Sequence, residues 1–410
     1  MSELLPLLAR QPIFDSNMRV VAYELLCRTG NINRADFSSG DSASSQVLLH
    51  TFAELSLEIV VGKNRAFINF TRALLVTPPP FDKRQLVVEV LEDEQVDEAL
   101  LESLKELKRQ GYTIALDDFV LNDHTRPLLA YADIIKLDVL VLSEPELKQY
   151  IEQLKPEGYT LLAEKVETYE MLEHCKALGF DLFQGYFLAR PKILKGHRIT
   201  ESKQAVLQLL AALHDPDVSI PQVERLLSQD PILSYKLLRL VNSAAFSLPR
   251  SIESLRQAIT LLGLDIIKNW VNLLAMANLG NKPLELSVAA LTRARMCERL
   301  AHQMDNTKRQ DAFFTVGLLS TLDAFMDVPL DILLANLSLN QELSEALLTH
   351  SGAEGRVLDV VEHYERGEWE KIDWRYLEAY KITPDMLSQA YIDALQWVSE
   401  TMSQAGIDRP

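Results

Sequence analysis

Cysteine is scarce in this chain. Cys27, Cys175 and Cys297 are scattered over 410 residues with no CxxC pair, which argues against a disulfide framework or a zinc ribbon and reads as free thiols packed like small hydrophobes. Long apolar runs are missing too. None approaches the ~20 residues of a membrane span, and the start MSELLPLLARQP lacks the basic stretch and apolar core of a secretion signal. A cytoplasmic protein with no membrane contact is expected. Basic residues are outnumbered: 41 Lys and Arg against 58 Asp and Glu give a formal net charge of −17. A nucleic-acid polymer is therefore a poor partner, because counterion release needs clustered cations. A small phosphate ligand is still admissible where bound cations or a few basic groups reverse the local field.

What is present is an ordinary globular composition, 48% hydrophobic and 24% charged. At this length two domains are the natural expectation. Residues 1–195 alternate strand and helix signals. ARQPIFDSNMRVVAYELLCR reads as a hairpin around Asp15-Ser16-Asn17, followed by a helix near 43–59 and the strands RAFINF and QLVVEVLE. The helix VDEALLESLKELKRQ, closed by Gly111, comes next, and the cycle continues through TIALDD, DIIKLDV, TLLAEKV and LFQGYF. Strands alternating with helices imply parallel pairing, and seven or eight of them imply a closed α/β barrel of TIM type. The basic stretch 189–199 carries Pro191 and Gly196 and reads as a linker. Residues 200–410 read as an all-α domain, with helices at 201–213, 221–229, 231–246, 252–262, 264–279, 285–304, 311–326 and 384–405.

Polar residues stand at the downstream ends of the apolar strand runs: Asn69, Glu89, Asp117 and Asp118, Lys136, Glu164 and Gln184. In a parallel barrel all those ends meet at one face. Glu24, Asn69, Glu89, Asp117, Asp118 and Glu164 offer the oxygen ligands that a hard cation such as Mg²⁺ or Mn²⁺ prefers, and two such ions can clamp a phosphodiester. Lys136 is in register to hold or polarise a water. Each residue alone has a structural alternative. Asn69 can satisfy backbone groups, Glu89 and Lys136 can form a salt bridge, and Asp118 can cap a turn. Six such positions together are hard to explain as packing.

The motifs resemble those of the EAL family of cyclic-di-GMP phosphodiesterases. YELLCR carries Glu24 and Arg28 where the family has its eponymous Glu and downstream Arg; INF carries Asn69; VEVLED carries Glu89 and Glu92. DDF, IKLD, AEKVET and FQGYFLARP follow in family order with Asp117, Asp118, Lys136, Glu164, Glu167 and Gln184. The resemblance implies two divalent cations held by Glu24, Asn69, Glu89, Asp117, Asp118 and Glu164, with Lys136 and Glu164 catalytic. It implies cyclic-di-GMP bound by Arg28, Leu25, Gln184 and Glu167, and hydrolysis to the linear dinucleotide. Three features depart from the family: ELL for EAL, which sets Leu25 near the guanine pocket; a shortened segment VLNDHTRPLL after the Asp pair; and Lys165 in place of a glycine. These fit either an enzyme with altered control or a receptor that keeps the pocket, and a homodimer is left open. The second half resembles the HDOD domain through QDPILSYKLLRLVNSAAFSLPRSIESLRQAITLLGLDIIKNWV. GLLST stands where related hydrolases need a His-Asp pair, and His214-Asp215 is cut off by Pro216. The resemblance thus implies an EAL-HDOD signalling protein whose helical domain relays to an unknown protein partner without metal or catalysis of its own.

Overall fold

The computed structural model describes residues 7–28, 57–76, 82–91, 94–190, 218–228, 254–264, 282–306, 309–336 and 341–404, with single positions between 237 and 271. Expectations for His214-Asp215, Glu92, the linker after 190, the helices at 201–213, 231–246 and 264–279, and most of the helix near 43–59 lie outside the described residues.

Eight strands close a barrel in sequence order. They are β1 Leu7–Asp15, β2 Val20–Arg28, β3 Arg65–Phe70, β4 Leu86–Val90, β5 Thr113–Leu116, β6 Ile134–Asp138, β7 Thr160–Glu164 and β8 Leu182–Gln184. The hairpin turn forms where the sequence predicts it. The Asp15 carboxylate accepts from the Asn17 and Arg19 amides, and Met18 takes the left-handed conformation. The hairpin also reverses β1, which runs antiparallel to both β2 and β8, while β2 to β8 are parallel.

Short helices cover the barrel: α1 Leu57–Val61, α2 Arg72–Val76, α3 Glu98–Gln110, α4 Glu144–Leu154 and α5 Tyr169–Leu178. α3 shows how the sequence sets its limits. Asp97 caps its start by accepting from the Leu100 amide, Gly111 ends it in the left-handed region, and Leu100, Leu104 and Leu107 form the buried stripe.

Just past β8, Gly185 has φ 149, and a Cβ there would lie 2.0 Å from the Val166 carbonyl oxygen. Backbone has to fill that space, since Val166 also bonds to Gln184 and Phe187. Gly185→Ala should therefore destabilise the protein by about 2 kcal/mol or more, from strain and displaced backbone together. Urea denaturation checks this, and an unchanged midpoint would mean that the β7 and β8 ends move apart freely.

The chain divides into two compact units, one of residues up to Leu188 with His363–Ile392, the other of Ala189–Glu362 with the residues from Asp393. Residues 363–392, which the sequence reading assigns to the helical half, thus group with the barrel. The second unit is helical, with α6 Ile220–Ser228, α7 Leu255–Leu262, α8 Leu284–Gln303, α9 Gln310–Leu319, α10 Leu322–Met326, α11 Leu330–Asn336 and α12 Gln341–Thr349. α13 Gly352–Glu365 crosses from this unit to the barrel's, α14 Trp374–Ala379 lies in the latter, and α15 Pro384–Gln404 crosses back. α9 packs tightly on α8, because a Cβ on Gly317 would meet Ala294 Cα at 2.7 Å. The hydroxyls of Ser320 and Thr321 are spent on the Gly317 and Leu318 carbonyls. No described helix is long and apolar enough to cross a membrane.

Burial pushes the Asp323 carboxyl in this unit up to about 6, against the Ala324 amide and Arg293. A raised folded value means that the folded state binds the extra proton, so stability is lost as pH rises from about 4 to about 6. Asp323→Asn removes that loss. It should stabilise the protein by on the order of 1–2 kcal/mol at pH 7.5 and by little at pH 4, read from urea midpoints at the two values.

Candidate active site

Side chains along a strand alternate between the lumen and the helix layer. One lumenal layer is apolar: Ile13, Ala22, Phe67, Val87, Ala115, Ile134 and Leu162, with Leu182 against it. Two residues further toward the functional rim, the same strands present Gln11, Glu24, Asn69, Glu89, Asp117, Lys136, Glu164 and Gln184. The polar ladder is therefore a single layer of the barrel interior.

Lys136 is its centre and has no exposed surface. Its Nζ lies 3.1 Å from Glu24 Oε2, 2.6 Å from Glu89 Oε1, 2.5 Å from Asp117 Oδ1 and 3.0 Å from Glu164 Oε1. An ammonium has three protons, so four carboxylates cannot all be satisfied. Oε2 of Glu89, Oε2 of Glu164, Oδ1 of Asn69 and Oε1 of Gln184 are buried with no hydrogen bond. Gln184 Nε2 donates to Glu24 Oε2 at 2.6 Å and to Gln11 Oε1 at 2.9 Å.

The electrostatics follow from burial and crowding. Burial, then the Glu24 charge, drives the Glu89 carboxyl well above the usual range. Burial also raises Asp117, and it pushes Glu164 up to about 8 against the pull of Lys136. Burial works on Glu24 in the same sense, but Lys136 and hydrogen bonds from Gln184 and Asn69 outweigh it and hold that carboxyl low. Burial alone would lower Lys136; the four carboxylates instead lift it well above the ordinary lysine value.

The donor set fits a hard divalent cation, since the unpartnered atoms are buried carboxylate and amide oxygens around a net negative charge. As arranged, no three Asp, Glu, His or Cys side chains among the described residues converge as a metal site. The Lys136 ammonium holds their common point instead.

The remaining predicted residues lie around this layer. Asp118, in the left-handed region at φ 39, turns away from Lys136 toward Lys165. Arg28, at the end of β2, is 3.5 Å from Glu370. Leu25 alternates with Glu24 and so faces the helix layer, 2% exposed, whereas Leu26 shares the lumenal register. Glu167 is half-buried just past β7. Sequence reading missed Gln11, which reaches the layer from the reversed β1, and Asp138, whose carboxylate is buried at the end of β6 and fixed by the Leu140 amide at 2.8 Å.

Residues 51–191 match the EAL domain family and residues 199–350 the HDOD domain family, which defines a two-domain protein of EAL-HDOD class. The protein YuxH of Bacillus subtilis (strain 168), described as uncharacterized, is 33% identical over 405 residues, covering 96% of this chain and 98% of its own. The cyclic di-GMP phosphodiesterase CdgJ of Vibrio cholerae serotype O1 is 33% identical over 395 residues, covering 95% and 91%. The chain belongs to the EAL-HDOD family that includes these two proteins. Among solved structures, a standalone EAL protein from Vibrio cholerae O395 in its c-di-GMP-bound form is 22% identical over 45% of this chain and 92% of its own, with a TM-score of 0.37. That likeness is too slight to bear on the chemistry.

Proposed function

We propose that this chain is a cyclic-di-GMP signalling protein whose barrel binds and hydrolyses the dinucleotide, and whose helical half relays the state to a protein partner. The observation that carries the reading is the buried Lys136 ammonium inside four carboxylates. Lipid-free, polymer-free phosphate chemistry at one mouth fits the strongly acidic composition, and the name of CdgJ supports the choice of dinucleotide.

Glu24, Asn69, Glu89 and Asp117, with Asp118 and Glu164 beside them, would hold Mg²⁺ or Mn²⁺. Such a cation, when bound, lowers the pKa of an attacking water and neutralises charge on the phosphodiester. Lys136, with its charge fixed by its four carboxylate neighbours, would orient a water at this mouth. Glu164, held by Lys136 at 3.0 Å through Oε1 and with Oε2 free of any hydrogen bond, would accept a proton from the attacking water. Arg28 offers a guanidinium fork to a ligand phosphate at the rim, in competition with Glu370. Gln184 and Glu167 flank the same mouth.

A receptor that binds without cleaving is the second reading. It is favoured by Lys165, whose ammonium sits 3.4 Å from Asp118. Incubation of the purified protein with cyclic-di-GMP and Mn²⁺, followed by chromatography, separates the two. The linear dinucleotide is expected. Binding without product with either Mg²⁺ or Mn²⁺ would select the receptor, and no binding at all would overturn both.

A further inference from the structure

We propose that the Lys165 ammonium takes the place of the outer of two divalent cations, so that this barrel binds one such ion, at Glu24, Asn69, Glu89 and Asp117. The inference rests on the reading above, because it concerns the same mouth, but it changes the number of ions expected there.

Lys165 follows β7 with φ 56, a backbone conformation that suits glycine and that a lysine adopts rarely. Its side chain compensates. Nζ lies 2.5 Å from Asp138 Oδ2 and 3.4 Å from each oxygen of Asp118. Asp138 is a fixed partner: it is buried, and its other oxygen accepts from the Leu140 and Val141 amides. The lysine is thereby anchored on one acid and directed onto the other. Of the adjacent pair, Asp117 reaches the inner layer and Asp118 faces Lys165.

The two groups of acids differ in what they lack. The inner layer sets four carboxylates on the single Lys136 ammonium and leaves Asn69 Oδ1 and Glu89 Oε2 buried without a hydrogen bond, a surplus of negative charge that a divalent cation would balance. Both Asp118 oxygens already face an ammonium. A divalent ion on Asp118 would sit beside that like charge, close enough for direct repulsion. An ammonium supplies one positive charge without an open coordination position, so the outer position would aid charge balance but could not activate water.

Titration of the full-length protein with Mn²⁺, read by calorimetry and by electron paramagnetic resonance, tests the count. Wild type is expected to take one Mn²⁺ per chain with an uncoupled spectrum. Lys165→Gly relaxes the backbone and removes the charge, while Lys165→Asn removes the charge with a residue that tolerates the left-handed region. Each should take two, with a spin-coupled spectrum, and the double variant Lys165→Gly, Asp118→Asn should return to one. Lys165→Arg should stay at one. Two ions in wild type, none in wild type, or one in both neutral variants would overturn the proposal. Cyclic-di-GMP cleavage is scored separately. One ion without cleavage leaves the count standing and removes the enzyme reading, whereas cleavage with two ions does the reverse.

Discussion

Lys136→Met should lower turnover of cyclic-di-GMP by about 10²–10⁴-fold while leaving its affinity nearly unchanged, and should also destabilise the cation-free protein. Both effects have one origin. The ammonium is fully buried and within 3.1 Å of four carboxylates, so its loss leaves those charges facing one another in a dry lumen. Removing one partner from a buried ionic cluster costs about 3–5 kcal/mol. Some of that loss is offset as Glu89, Asp117 and Glu164 take up protons, since all three already lie above the usual carboxylate range. Added Mn²⁺ should restore much of the melting temperature but not the turnover, because a bound cation balances charge without placing a donor where Nζ stands. A melting temperature equal to that of wild type without Mn²⁺ would show that the carboxylates do not depend on the lysine.

Glu89→Gln should move two properties in opposite directions. The Glu89 carboxyl has no exposed surface, and burial with the Glu24 charge drives it well above its ordinary value. A raised folded value costs stability at any pH above the unfolded one, so the neutral amide should make the cation-free protein more stable at neutral pH. The same change removes a ligand charge and should weaken Mn²⁺ binding on the order of 10²-fold. Thermal melting without metal and calorimetry with it check the two halves. Unchanged Mn²⁺ affinity would place the cation elsewhere.

Much of this layer is legible in the sequence because a strand has period two and a parallel barrel gathers its ends. Asn69 and Glu89 are directly paired across β3 and β4, and Asp138 and Glu164 across β6 and β7, as strands of common direction require. Gln11 escapes the pattern for the converse reason: on a reversed strand the rim residue comes before the apolar run. Lys165 stands out in the sequence only as a lysine in place of a glycine, and its partners Asp118 and Asp138, 47 and 27 positions earlier, are visible only in the structure. The hydrogen bond from the Tyr364 hydroxyl to the Leu8 carbonyl, 356 positions apart, has no local signal at all.

That last bond bears on the order of synthesis. The barrel's unit is discontinuous, and its last piece, His363–Ile392, leaves the ribosome only after Ala189–Glu362 of the second unit have been made. Until then the Leu8 amide and carbonyl lack the Tyr364 hydroxyl, and neither Leu26 nor Tyr186 has its neighbour from Gly367 and Arg366. A nascent chain must therefore hold its eight barrel strands without these partners through the synthesis of the intervening residues. A gene truncated after residue 350 would make every residue of the ion cluster and still not deliver the whole unit that carries it.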